Sequence, residues 1–193
     1  MGRVRAFDPD EVLDRAMRTF WQHGYDATSI DDIVNSTGVN RASLYGTFGD
    51  KKQIFLKAFE RYVAASTVAN LDAATTPGSA RPALESLFER LVTRSCDGRH
   101  AGCMITNTAT EFGSRDPEVL DHARRALARI ENALDRLLRR AQSFGELPDD
   151  VDARAKARHL MATMQGLQVI SKINSDPRML KQICDQAVDA AFE

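Results

Sequence analysis

Between residues 40 and 47 the chain runs Asn40-Arg41-Ala42-Ser43-Leu44-Tyr45-Gly46-Thr47, a set of polar and small side chains directly after Gly38-Val39. These residue types suit hydrogen bonding to base edges. Arg41 carries the planar fork that fits a guanine edge, Asn40 and Ser43 add short polar groups, and Ala42 and Gly46 allow close approach or contact with a thymine methyl. The phenol of Tyr45 can reach a phosphate, and its ring can alternatively pack on Phe48. Lys51 stands in the first turn of the following helix, where an ammonium and helix-terminal amides can grip one phosphate together. Lys52 reads as a solvated charge. Thr28 and Ser29 open an earlier helix, and both capping and phosphate binding are open to their hydroxyls. The spacing of Thr28 to Asp31 resembles a capping box, which gives the cap to Thr28 and a phosphate to Ser29. Arg3 and Arg5 fit either a flexible arm entering a minor groove or a disordered, solubilising start.

Other chemistry finds few residues. The four histidines, at 23, 100, 122 and 159, form no Glu-x-x-His pair, and Glu111 is the sole acid of an apolar helix, so the four inward carboxylates of a metal-oxidase bundle cannot be assembled. Hydrolytic motifs and phosphate loops are absent, and no metal or cofactor is expected. Three cysteines, at 96, 103 and 184, fit a reducing compartment rather than a disulfide scaffold or a zinc module. Cys103 follows Gly102 at a helix start, where terminal amides favour a reactive thiolate and therefore redox or electrophile sensing. A buried core cysteine is the alternative.

The elements that must position these groups are helical throughout. Prolines occur only at 9, 77, 82, 117, 148 and 177, and the stretches between them repeat apolar residues every three or four positions. Asp8-Pro9 starts a first helix with Leu13, Met17, Phe20 and Trp21 on one face, stopped by Gly24. Short second and third helices follow around Ile30–Val34 and Arg41–Tyr45, the latter capped by Asn40, and Asp50 caps a longer fourth. Beyond the loop at Thr75–Ser79 come a fifth helix through Leu84–Leu91, a sixth at about 101–112, a seventh from Pro117 to about 142, an eighth at about 150–173 and a ninth from Pro177. The expectation is an all-α protein of about nine helices. Its 193 residues can bury a sizeable core, no apolar stretch approaches a membrane span, and the start lacks the apolar core of a signal peptide. A cytoplasmic protein without membrane contact is expected.

Gly38 between Ile33-Val34 and Val39 lets two short helices cross steeply, a helix-turn-helix pattern. Together with Gly24-Tyr25, the run Thr28, Ile33, Gly38-Val39, Leu44-Tyr45, Phe48, Lys51 and Ile54 resembles the N-terminal signature of the TetR family of bacterial transcription regulators. The resemblance covers residues 10–60 closely and the remainder in helix number and length. It implies a three-helix DNA-binding domain at 1–62 and a helical ligand-binding and dimerisation domain at 63–193, with the fourth helix transmitting ligand occupancy to the DNA-reading helices. This chain has Asn40 where the family commonly has serine, and Gly46 and Thr47 where it has bulkier residues, so the docking mode carries over and the operator does not.

A single short recognition helix reads few base pairs, so a homodimer on a palindromic double-stranded DNA operator is expected. Its interface is assigned to the last two helices through Met161, Gly166, Leu167, Ile170, Ile183, Ala187, Val188 and Ala191, where small residues allow close approach. The pocket for a small-molecule effector that the resemblance implies draws on Phe59, Tyr62, Phe88, Cys103, Met104, Asn107, Met164 and Gln168. The function that follows is a repressor released from its operator by a small molecule or by modification of Cys103. Charge does not reveal it: 26 basic against 27 acidic residues leave a net of −1, and the first 61 residues cancel nine against nine.

Overall fold

The computed structural model describes residues 7–65, 76–97 and 101–193. Among them are nine helices and no strand: α1 (Pro9–His23), α2 (Ile30–Thr37), α3 (Arg41–Phe48), α4 (Lys51–Ala64), α5 (Ala80–Ser95), α6 (Met104–Phe112), α7 (Pro117–Ser143), α8 (Ala153–Ile170) and α9 (Pro177–Phe192). The all-α expectation holds for these residues. Two boundaries differ from the periodicity. Helix α6 starts at Met104 rather than near 101, because Gly102 stands at φ +77° and interrupts helical backbone. Helix α8 is shorter than 150–173, because Asp152 caps it by accepting from the N–H groups of Arg154 and Ala155.

Each early helix is delimited by its own side chains. Asp8 accepts from Asp10 N at 2.9 Å, and Pro9 takes the first position of α1, where a missing N–H costs nothing. The face that α1 buries is Val12, Ala16, Thr19 and Phe20, while Leu13, Met17 and Trp21 lie half-exposed beside it. This corrects the expected face by one position; apolar residues occupy two adjacent stripes, and periodicity alone does not choose between them. Gly38 ends α2 in the left-handed region at φ +74°, its N–H bonded to Val34 O at 2.8 Å. A Cβ there would meet nothing within 4 Å, so the requirement for glycine is conformational. The next residue, Val39, turns inward and is buried.

Contacts divide the chain into two units. The first joins the described residues up to Ala65 with Met104–Ala123, which brings α6 and the start of α7 together with α1–α4. At its centre Phe55 meets Phe20 edge-on at 5.2 Å, Tyr25 at 5.1 Å and Phe112 at 5.6 Å, and Tyr25 meets Phe112 at 5.0 Å. Phe20, Phe55, Phe59, Ile33, Leu44 and Ile54 are essentially inaccessible. Burial of each such side chain contributes roughly 1.5–3 kcal/mol, so this cluster outweighs the polar contacts around it. The second unit contains α5, the remainder of α7, α8 and α9, and its core includes Leu84, Leu87, Leu134, Leu137, Leu138, Leu160 and Leu180. No helix among the described residues is long and apolar enough to cross a membrane.

Candidate nucleic-acid interface

Helix α3 is eight residues long and divides cleanly. Leu44 and Phe48 are buried, anchoring it to the first unit, whereas Arg41, Ala42, Tyr45 and Gly46 are exposed and Ser43 and Thr47 half-exposed. Asn40 caps it as expected, its Oδ1 accepting from Ser43 N at 2.9 Å. Among the described residues its side-chain amide donors have no hydrogen-bond partner. Tyr45 is 41% exposed, and Phe48 meets the tilted ring of Phe7 at 6.5 Å, so among the described residues the alternative of a Tyr45–Phe48 pair is replaced by an outward phenol. An exposed edge of small, amide, hydroxyl and guanidinium groups on a firmly anchored helix has the form needed to enter a major groove.

The entry to α2 differs from the expected assignment. Ser29, not Thr28, is the cap: its Oγ accepts from Asp32 N at 3.1 Å, and Asp32 Oδ2 accepts from Ser29 N and Ser29 Oγ, both at 2.7 Å. Hydrogen bonds from the hydroxyl and backbone of Ser29 hold the Asp32 carboxyl below the usual range. Thr28 is buried and donates to Gly24 O at 2.6 Å, closing the turn after α1. The donor of Ser29 is therefore already engaged by a carboxylate, and a phosphate at this position would have to compete with Asp32. The shift of one residue also frees Asp31, whose Oδ1 accepts from Arg41 at 2.7 Å.

The expected cations divide three ways. Arg3 and Arg5 lie outside the described residues. Lys51, at the first position of α4, places its ammonium 4.2 Å from the centre of the Tyr25 ring, while Asp50 Oδ1 takes the N–H of Gln53 at the same helix end. Lys52 is not a solvated charge: it pairs with Asp116 and Glu118, each at 2.7 Å. Its hydrogen bonds to both carboxylates raise its pKa, and its ammonium in turn lowers that of Asp116. Asp116 also accepts from the N–H groups of Glu118 and Val119, so one carboxylate starts α7 and anchors α4.

The residue that sequence reasoning missed is Glu111. Its two carboxylate oxygens accept from Tyr25 N at 2.9 Å and Asp26 N at 2.6 Å, gripping the turn that leads into α2. Arg115 completes the clamp by donating to the Glu111 carbonyl and to Asp26 Oδ2. The available signal was its isolation, a single acid within an apolar helix.

The effector candidates separate into two groups. Phe59, Tyr62, Met104 and Asn107 belong to the first unit, and Phe88, Cys103, Met164 and Gln168 to the second. Tyr62 meets Trp21 at 5.8 Å, and Phe59 is packed against Phe55. Gln168 Oε1 is buried without a hydrogen-bond partner among the described residues. Cys103 is buried. A groove of about 740 Å³ along α5 and α9 is lined by Phe88 and by none of the other candidates. Of the expected interface residues, Leu167, Ala187, Val188 and Ala191 are buried within the single chain, Met161 and Ile183 are half-buried, and Gly166 and Ile170 are exposed. Val169 and Ile173, which the sequence pattern did not single out, are exposed beside them.

Comparison with known proteins identifies the family. The family model described as "Bacterial regulatory proteins, tetR family" matches residues 12–58, and "Tetracyclin repressor-like, C-terminal domain" matches residues 78–187. The HTH-type transcriptional regulator YezE of Bacillus subtilis (strain 168) is 35% identical over 96% of both chains. The HTH-type transcriptional repressor ComR of Escherichia coli (strain K12) is 31% identical over 94% of this chain and 88% of its own. A cysteine mutant of the TetR family transcriptional regulator CifR, solved with 26-bp double-strand operator DNA, superimposes with a TM-score of 0.84 at 27% identity, covering 98% of this chain and 99% of that one. The chain therefore belongs to the TetR family and is a DNA-binding transcriptional regulator rather than an enzyme.

Proposed function

We propose that this chain is a cytoplasmic repressor that binds a palindromic operator as a homodimer, reads it with α3, and leaves it when a small molecule occupies the helices of the second unit. The observation that carries the reading is the division of α3 between buried Leu44 and Phe48 and an exposed edge formed by Asn40, Arg41, Ala42, Tyr45 and Gly46. Arg41 addresses base edges, while Tyr45, Lys51 and Thr47 address phosphates at the groove rim. A second copy fits the exposed apolar residues at the end of α8, where Val169, Ile170 and Ile173 are 49%, 37% and 89% exposed. Three large aliphatics in five residues face water at a cost that pairing with a symmetric partner removes. The orphaned Oε1 of Gln168 supports an effector with a hydrogen-bond donor, since a buried amide oxygen without a partner costs about 1–3 kcal/mol.

Selection of bound sequences from a random double-stranded DNA pool tests the reading. The expected product is a palindrome with half-sites one helical turn apart, bound by two chains. Selection of no sequence by the folded chain refutes it. Replacing Ile170 and Ile173 together by glutamate is expected to yield monomers by light scattering and to abolish cooperative operator binding; dimers of unchanged stability would place the interface elsewhere. Thermal shifts against a metabolite panel identify an effector as a compound that stabilises the protein and weakens operator binding.

A further inference from the structure

We propose that Asp31 is a positioning residue for base recognition: its carboxylate buttresses Arg41 so that the guanidinium presents a fixed pair of N–H donors to one guanine. The inference rests on the reading of α3 as the recognition helix. One oxygen of Asp31 accepts from a terminal nitrogen of Arg41 at 2.7 Å, across the turn between α2 and α3. The two side chains are 70% and 53% exposed, and a pair so open to water contributes little to holding the helices together.

Arg41 is not placed for the sake of its own helix, and Asp31 is not the cap of its helix. The cap of α2 is closed by Ser29 and Asp32, so Asp31 is not required there. Helix α3 carries Arg41 as its first residue and has no acid in its first turn, an end where the helix dipole disfavours a cation. Asp31, in the first turn of α2, suits the dipole of its own helix, whereas Arg41 stands where the dipole of α3 disfavours it, and the two charges meet on the exposed side of the motif.

Their chemistry accounts for the placement. A guanidinium has five N–H donors, and the bond to Asp31 uses one of them, leaving donors enough for a two-pronged contact. Guanine offers two acceptors, O6 and N7, on its major-groove edge. A fork already held in orientation loses less freedom on docking than one that swings freely. The same carboxylate repels phosphate, so registers that leave Arg41 outside the groove are penalised.

The test begins with the site selected by the full-length chain. Affinities of the wild type, Asp31→Asn, Arg41→Ala, Arg41→Lys and the double variant D31N/R41A are measured for that site and for versions in which each base pair is replaced in turn. The wild type is expected to prefer one G·C pair by about tenfold or more. Asp31→Asn should reduce the preference at that pair severalfold and leave the other positions unchanged. Arg41→Lys, which keeps the charge and loses the planar fork, should reduce it at the same pair. In the Arg41→Ala background, Asp31→Asn should cause no further loss of preference. Asp31→Ser, with a side chain suited to a helix start, repeats the measurement should Asp31→Asn disturb folding. If the Asp31 variants change affinity by one common factor at every sequence, the carboxylate acts only as a repulsive charge and the inference fails, with the role of α3 intact. If Arg41→Ala also leaves every preference unchanged, the placement of Arg41 at a base fails, and the inference with it.

Discussion

Replacing Glu111 by alanine removes the acceptors of two backbone donors, Tyr25 N and Asp26 N, in the turn that leads into α2. A hydrogen bond to a charged group contributes about 1.5–3 kcal/mol. The Asp26 bond is exposed, so water replaces most of it, and the contact to Tyr25 N is only partly buried. The expected loss is therefore about 2 kcal/mol, which for a chain of this size lowers the melting temperature by about 4–8 °C. Glu111→Gln retains one acceptor oxygen and should lose about half as much. Because the turn sets the entry to α2, operator affinity should fall in parallel, by up to about thirtyfold if the whole cost appears in binding. Differential scanning calorimetry and an operator titration measure the two effects. Gly24→Ala supplies an internal control: Gly24 stands at φ +84°, and an added Cβ would lie 3.0 Å from Glu111 Oε2. Removing Glu111 relieves that clash but not the backbone strain, so the two substitutions should be less than additive. A Glu111→Ala protein that melts with the wild type and binds the operator equally well would refute the clamp.

Four further outcomes follow from the described geometry. Asp14→Asn should cost at most about 1 kcal/mol near neutral pH, the upper end for a solvent-exposed ion pair, because Arg61 and Asp14 are 33% and 39% exposed. The hydrogen bond from Arg61 holds the Asp14 carboxyl below its usual value, so its stabilisation is complete above the unfolded-state value near pH ~4 and disappears as pH falls through the native one. Urea midpoints of the two proteins should accordingly converge in acid. Asn40→Ala, which removes the cap of α3, should lose about 1 kcal/mol by denaturant titration, and Asn40→Ser should recover most of it. Gly38→Ala should lose about 1 kcal/mol through backbone strain alone, since space for the methyl group is open; a neutral result would contradict the left-handed turn. Iodoacetamide at pH 8 should label Cys96 well before Cys184, which is buried and whose thiol is pushed up to about 11 by desolvation; peptide mapping reads the order.

The sequence exposed most plainly whatever depends on neighbours a few residues apart. Asn40 ahead of Arg41, Asp50 ahead of Lys51 and Pro9 after Asp8 mark helix starts that the structure contains, because a cap is a local hydrogen bond between residues two or three apart. The same rule misassigned α2 by one residue, since Thr28–Asp31 and Ser29–Asp32 have identical spacing. What separates them is the bond from the Thr28 hydroxyl back to Gly24 O, which depends on the turn rather than on the helix. Lys52 could not be read at all. Its partners Asp116 and Glu118 lie more than sixty residues away, and nothing in a run of two lysines distinguishes a solvated side chain from a paired one. Glu111 was conspicuous by type but not by target, because backbone N–H groups as acceptor-seeking partners leave no trace in residue identity.

The attachment of α6 to the first unit has a consequence for how the motif can be handled. Phe112 covers one side of Tyr25 and Phe55, yet it lies some fifty residues beyond the end of α4 in the chain. A fragment ended at residue 62 would carry the whole helix-turn-helix and still lack that ring and the Glu111 carboxylate, leaving two aromatic faces wet and two turn amides without acceptors. Transplantation onto another sensor domain therefore needs a splice in two places, with the segment around Met104–Ala123 moved together with the reading head.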